Sequence, residues 1–187
     1  MMLPTHAVVG LALATPLALL APEFATAALT GGFVGGVLPD LDLYAGHRRS
    51  LHYPTGYTLA AIFVGLGALL LQTQLLVALA FLLVGAAAHC RMDRYGGGLE
   101  LRPWEETSER AVYDHVRGRW RTPKRWIRYD GSPQDIVLLV VVSTPVAAVL
   151  NGPFQWVVLV ALLVGGTYGL LRQRLAELAP TIFEQVP

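Results

Sequence analysis

The chain has 187 residues, 54% of them hydrophobic and 14% charged, and a formal net charge of +1; its mean hydropathy is +0.50. A soluble domain carries roughly a quarter charged residues, so this composition excludes an ordinary water-soluble globule and carries no strong nucleic-acid signal. The single cysteine, Cys90, excludes an internal disulfide and a cysteine-rich metal cluster, and reads as a small buried apolar residue.

Apolar runs long enough to approach a bilayer span cover residues 4–20, 54–71, 74–89, 135–150 and 154–171. The first resembles a secretory signal only superficially. No Lys or Arg precedes it, and His6 and Pro16 interrupt it, so it reads as a retained helix. A sixth, shorter run over 24–38 holds Gly31, Gly32, Gly35 and Gly36. Glycines four apart let helix backbones approach closely, so this segment is expected either to pack tightly across the membrane or to be re-entrant. Turn-like breaks at 21–23, 72–74 and 151–153 separate the runs. The expected fold is an all-α polytopic membrane bundle of about six segments, forming one domain over 1–187.

Charge placement orients that bundle. If all six segments cross, the N-terminus, the 39–53 loop, the 91–133 loop and the C-terminal tail share one side. All fourteen Lys and Arg fall there, while the only formal charge on the other side is Glu23. The positive-inside rule then makes the charged side cytoplasmic, with both termini. The 91–133 loop, between segments four and five, is basic and Trp-rich: Trp104, Trp120 and Trp126 are interleaved with Arg and Lys. That composition suits an interfacial segment against anionic headgroups or a protein partner. It ends in a legible helix start, with Ser132 as N-cap, Pro133 at the first position and Asp135 in the first turn.

Four of the five histidines, His6, His47, His52 and His89, sit at the charged ends of apolar segments. Beside them are Asp40, Asp42 and Asp93. His89 and Asp93 are four apart and project from one helix face, where they can chelate one ion. Asp40 and Asp42 share a face if the chain after Pro39 is extended. Neighbouring carboxylates repel, which argues for a cation or a shared proton. Each residue alone has an ordinary explanation: an interfacial or capping His, a turn Asp, a hydrogen-bonded His–Asp pair, or an Arg that only sets topology. Jointly, four His and three Asp on one membrane side point to a site, because ionisable groups there are costly. Nitrogen and oxygen ligands without thiolate suit zinc first, with manganese or iron open. Such a site performs water attack on an ester or phosphoester, with Asp40 or Asp42 as ligand and base and Arg48 on the phosphate. His115 reads as a solvated residue of the loop.

Pro4-Thr5-His6, Gly35-Gly36-Val37-Leu38-Pro39-Asp40-Leu41-Asp42 and His47-Arg48-Arg49-Ser50-Leu51-His52 resemble the YdjM-like family of membrane-bound metal-dependent hydrolases, some of which are described as LexA-binding. The pattern covers the first 55 residues closely, and His89-x-x-x-Asp93 extends it to mid-chain. The order is also similar to zinc-dependent phospholipase C and single-strand nuclease folds. The resemblance implies His6, Asp40, His52, His89 and Asp93 as ligands, with His47 and Asp42 as further ligands or supporting groups. Unlike those zinc enzymes, this chain has only His115 and Glu105, Glu106 or Glu109 after the helix, at unmatched spacing, so one or two ions are expected. The leading expectation is hydrolysis of a phosphoester in a lipid or membrane-proximal small molecule. A non-enzymatic adaptor working through the 91–133 loop is the rival. A transporter is weaker, because the helices lack mid-membrane charges.

Overall fold

A computed structural model describes residues 1–43 and 45–183. Six helices dominate it: α1 (Leu3–Leu20), α2 (Ala25–Val37), α3 (Pro54–Leu71), α4 (Gln74–Tyr95), α5 (Pro133–Val149) and α6 (Pro153–Phe183). Five helical stretches are long and apolar enough to cross a membrane: α1, Pro22–Asp42, α3, α4 and Pro153–Leu178. The remaining helix, α5, is a shorter apolar helix of 17 residues.

The helix ends follow from local chemistry. Pro stands in the first turn of α1, α3 and α5, where its missing N–H costs no intrahelical bond. Thr73 caps α4 by accepting from Leu76 N, and Ser132 caps α5 by accepting from Asp135 N. Gln72 ends α3 in the left-handed conformation at φ 47°, and Gly152 turns the chain into α6 at φ 65°. Asp135 does more than start a helix. Fully buried, it accepts from Thr5 Oγ1 at 2.8 Å and Met2 N at 2.7 Å, tying α5 to the start of α1.

At the centre, α2 lies against both α1 and α4. A Cβ added at Gly32 would run into the Gly10 carbonyl, and one at Gly35 into the Leu82 carbonyl of α4. These residues must be glycine because backbone meets backbone there. With its flanking 3-10 turns the second segment forms one helical stretch, Pro22–Asp42, long and apolar enough to cross. Gln74 Nε2, at the start of α4, donates to Glu23 O at 2.7 Å, while Asp40 lies beside His89 near the other end. The Pro22–Asp42 stretch thus runs alongside α4 from end to end.

The 91–133 segment divides differently from its composition. Residues 91–95 continue α4. Beyond them come a 3-10 turn, Pro103–Glu105, and a two-stranded antiparallel ribbon, β1 (Val112–Asp114) with β2 (Arg119–Arg121). This is the one non-helical element among the described residues. It packs over the ends of α3 and α4: Arg121 Nη2 donates to Thr55 Oγ1 of α3 at 3.3 Å, Tyr113 N donates to Arg48 O of the loop before α3 at 2.9 Å, and just past the ribbon Lys124 N donates to Arg94 O of α4 at 2.7 Å. Asp114, fully buried, accepts from Arg121 Nε at 2.9 Å and pins the ribbon shut.

A candidate metal centre

The site forms where α1 begins, α2 ends and α4 ends. The Asp40/Asp42 pair departs from the extended geometry expected of it. Residues Leu38–Asp42 form a 3-10 helix continuing α2, because Pro39 has a fixed φ that suits a helical turn. In that geometry Asp40 and Asp42 do not share a face. Asp40 turns to α4, and Asp42 turns to the 47–52 loop.

Two histidines are held in one tautomer by what lies behind them. His89 Nδ1 is 2.7 Å from the Gly36 carbonyl, and His52 Nδ1 is 2.9 Å from Asp42 Oδ2. Each Nδ1–H donates to that acceptor, which leaves each Nε2 as a lone pair aimed forward. His52 Nε2 lies 3.1 Å from Asp93 Oδ2 and 3.8 Å from Asp40 Oδ1. His89 Nε2 lies 3.3 Å from each of the same two oxygens. All four atoms fall within 4.8 Å of one another, and His52, His89 and Asp93 are buried. His89 Nε2 has no hydrogen-bond partner. Two lone-pair nitrogens and two carboxylates facing one another are all acceptors, so the arrangement calls for a proton or a cation.

A divalent cation fits the spacing. A tetrahedral site with bonds of about 2.1 Å has ligand-to-ligand edges of about 3.4 Å, which the 3.1–3.8 Å separations bracket. Imidazole and carboxylate without thiolate suit zinc, manganese or iron.

The other expected residues surround this group. His6 stacks on His89 with ring centroids 3.7 Å apart and places Nε2 3.2 Å from the opposite oxygen of Asp93. Its buried Nδ1 has no partner. His47 Nδ1 lies 3.0 Å from Asp42 Oδ1 and 4.0 Å from Asp40. Burial, and then the adjacent Arg48 guanidinium, hold the His47 imidazole below its ordinary pKa and so keep it neutral. Asp42 is almost fully buried and spends its oxygens on His47, His52, Arg48 N and Leu51 N. That is the environment of an orienting group, with no oxygen left for a reacting molecule. Arg48 is buried in a left-handed conformation, φ 60°. Nη1 donates to Gly97 O at 2.9 Å, Nη2 is 3.8 Å from Asp93 Oδ1, and Nε has no partner.

His115 stays outside, exposed and stacked on Tyr53, with Nε2 2.7 Å from Arg49 O. Glu105 faces Arg102, and Glu106 and Glu109 face Arg125. None of these joins the four-atom group. Sequence reasoning read Gly36 as a close-packing glycine but overlooked its carbonyl, which lies behind His89. A Cβ there would meet His6 O at 2.5 Å, so only glycine lets α1 approach. It also overlooked Glu100, whose buried carboxylate oxygens have no partner and which lines the same cavity as Asp40 and Asp93. Nothing in the spacing marked Glu100.

The family model described as YdjM inner membrane protein matches residues 1–175. No curated protein and no solved structure gives a significant match. A match over nearly the whole chain, with the polytopic helical fold and the clustered His and Asp behind it, makes this chain a member of the YdjM inner membrane protein family.

Proposed function

We propose that this membrane protein is a metal-dependent hydrolase cleaving a phosphoester of a lipid or membrane-proximal molecule at the cytoplasmic face. One observation carries the reading. Two imidazoles whose rear nitrogens are already engaged turn their lone pairs on two carboxylates at separations that match a four-coordinate ion. Such preset tautomers are the mark of metal ligands with supporting acceptors. Asp40, His52, His89 and Asp93 would hold the ion, with His6 adjoining through the second oxygen of Asp93. A divalent cation there supplies Lewis acidity and makes water a usable nucleophile near neutral pH.

The chain's own groups take the remaining roles. Hydrolysis adds water to phosphorus as the P–O ester bond breaks, and the water proton must reach the departing alkoxide. Asp40 is the least buried carboxylate of the group, at 19% side-chain exposure, and it lines the cavity; we assign it the proton transfer. Arg48 borders the same cavity with an unpartnered Nε, which suits a phosphate oxygen. Asp42 and Gly36 orient His52 and His89. The cytoplasmic placement rests on the one-sided distribution of Lys and Arg.

Metal analysis of detergent-purified protein tests the reading, alongside a His89→Ala/Asp93→Ala double variant. Stoichiometric metal in the parent and its loss in the variant are expected. Metal in neither protein would remove the basis for the site.

A further inference from the structure

Beside the His/Asp cluster opens a cavity of about 1140 Å³, larger than the roughly 300–1,000 Å³ of ordinary small-molecule pockets. Its two ends differ in chemistry. At the end beside the cluster, taken as the mouth, are Asp40, Asp93, His47, Arg48 and Glu100; Arg172 of α6 and Asp130 of the segment before α5 also line the cavity. Away from the mouth the lining is apolar: Phe33 and Val37 of α2, and Trp156, Val157, Val160 and Val164 of α6.

The length of this groove is its most informative property. Lining residues recur on one face of α6 from Pro153 to Arg172, a rise of about 28 Å at 1.5 Å per residue. A bilayer hydrocarbon core is about 30 Å thick. Along this face of α6 Trp156 is 66% exposed, Val160 54% and Val164 50%. A compact polar substrate fills only the mouth. An occupant matching the whole shape has an anionic head and a long hydrocarbon chain.

The cation available to a head group is Arg48: its ion pair with Asp93 is long at 3.8 Å, whereas Arg172 is held by Asp130 at 2.8 Å. Arg48 is about nine-tenths buried, borders the cavity, and has an Nε without a partner. A buried guanidinium N–H left unpaired is costly unless a ligand oxygen meets it. Phosphate oxygens match a guanidinium better than carbonyl groups do.

We propose that the groove along α6 binds the hydrocarbon chain of a bilayer lipid whose phosphate headgroup sits between Arg48 and the His/Asp cluster. This deepens, and rests on, the reading of that cluster as the reaction centre: the substrate is a long-chain lipid phosphate, presented from within the membrane.

Retention of dioleoyl phosphatidic acid, dihexanoyl phosphatidic acid and dioleoylglycerol by the purified full-length protein, followed by native mass spectrometry, tests this. The long chain is expected to be retained at least about tenfold more tightly than the short one, since each buried methylene contributes. The dioleoylglycerol, lacking phosphate, should be lost. Val164→Trp and, separately, Val160→Phe fill the groove from exposed positions. Each should bring the long-to-short ratio to within about twofold while metal content stays at the parent level. Equal retention of both phosphatidic acids by the parent, or an unchanged ratio in both variants, would overturn the groove assignment. If metal is present in that case, the hydrolase reading survives it. If metal is absent but chain-dependent retention holds, the groove stands and the hydrolase reading falls.

Discussion

The inner helices and the outer ones solve different problems with similar apolar sequences. In α1 and α4, 44% and 39% of the spanning residues are buried, against 11% in α3. The inner set gets there with small residues: Gly10, Gly32, Gly35, Gly36 and Gly85 bring three backbones together. In α3, Gly65 and Gly67 meet nothing within 4 Å, and Leu66, Leu69 and Leu70 face outward. Helix association in a membrane depends on close packing, because lipid tails are as apolar as leucine. The inner contact also positions chemistry. The close approach of α1 to Gly36 and of α4 to α2 brings His6, Asp40, His89 and Asp93 together.

The sharpest test of this contrast exchanges small for large on each side of it. Gly32→Leu and Gly35→Leu should abolish folded protein in detergent, as followed by monodisperse yield, because a backbone carbonyl cannot yield to the added side chain. Gly65→Leu in α3 should leave the yield at the parent level. Comparable loss from Gly65→Leu would erase the distinction.

Next in size is Asp42→Asn, which keeps the shape but weakens the acceptor behind His52. Metal affinity should fall by about 10–100-fold while the fold persists, as read by competition with a chelator. Unchanged affinity would mean that Asp42 serves the 47–52 loop alone.

The capping ribbon gives a smaller effect. Burial raises the Asp114 carboxyl, but Arg121 and the N–H groups of Val116 and Arg117 outweigh it and leave the pKa below the ordinary value. The stabilisation is therefore fully present above the unfolded-state pKa of about 3.9, and is lost as pH falls through the lower folded value. Asp114→Asn should destabilise by about 1–3 kcal/mol near neutral pH, with the difference from the parent shrinking below about pH 4 in thermal unfolding. A pH-independent difference would assign the effect to packing.

The smallest expected change is Gly67→Ala, which should stay within about 1 kcal/mol and tend to stabilise α3, since alanine is the better helix former. A large loss of thermal stability would show that something packs against α3 at Gly67.

Much of this architecture was legible along the chain. Hydropathy and punctuation marked six helices, since a bilayer demands long apolar runs and Pro, Gly and Ser must stand where backbone N–H groups lack partners. Ser132-Pro133 and the i, i+4 pair His89/Asp93 were local in the same way. The metal-ligand candidates were legible as residue types at one end of the helix bundle. Their division of labour was not. Asp40 and Asp42 are two positions apart, yet one joins the His89/Asp93 group and the other props His52 and His47, because a 3-10 turn replaced the extended chain. Glu100, the Gly36 carbonyl behind His89 and the reach of Asp135 to Thr5 left no periodic trace.

The sequence by itself determined the solvent, the number of helices and the collection of ionisable side chains on one face, since those depend on composition summed over local windows. Only the tertiary structure decided which four atoms converge, which acceptors fix their tautomers, and that the groove opens along α6. Those features arise from contacts between segments up to 133 residues apart, such as Asp135 with Met2, and close packing sets them where local propensity does not.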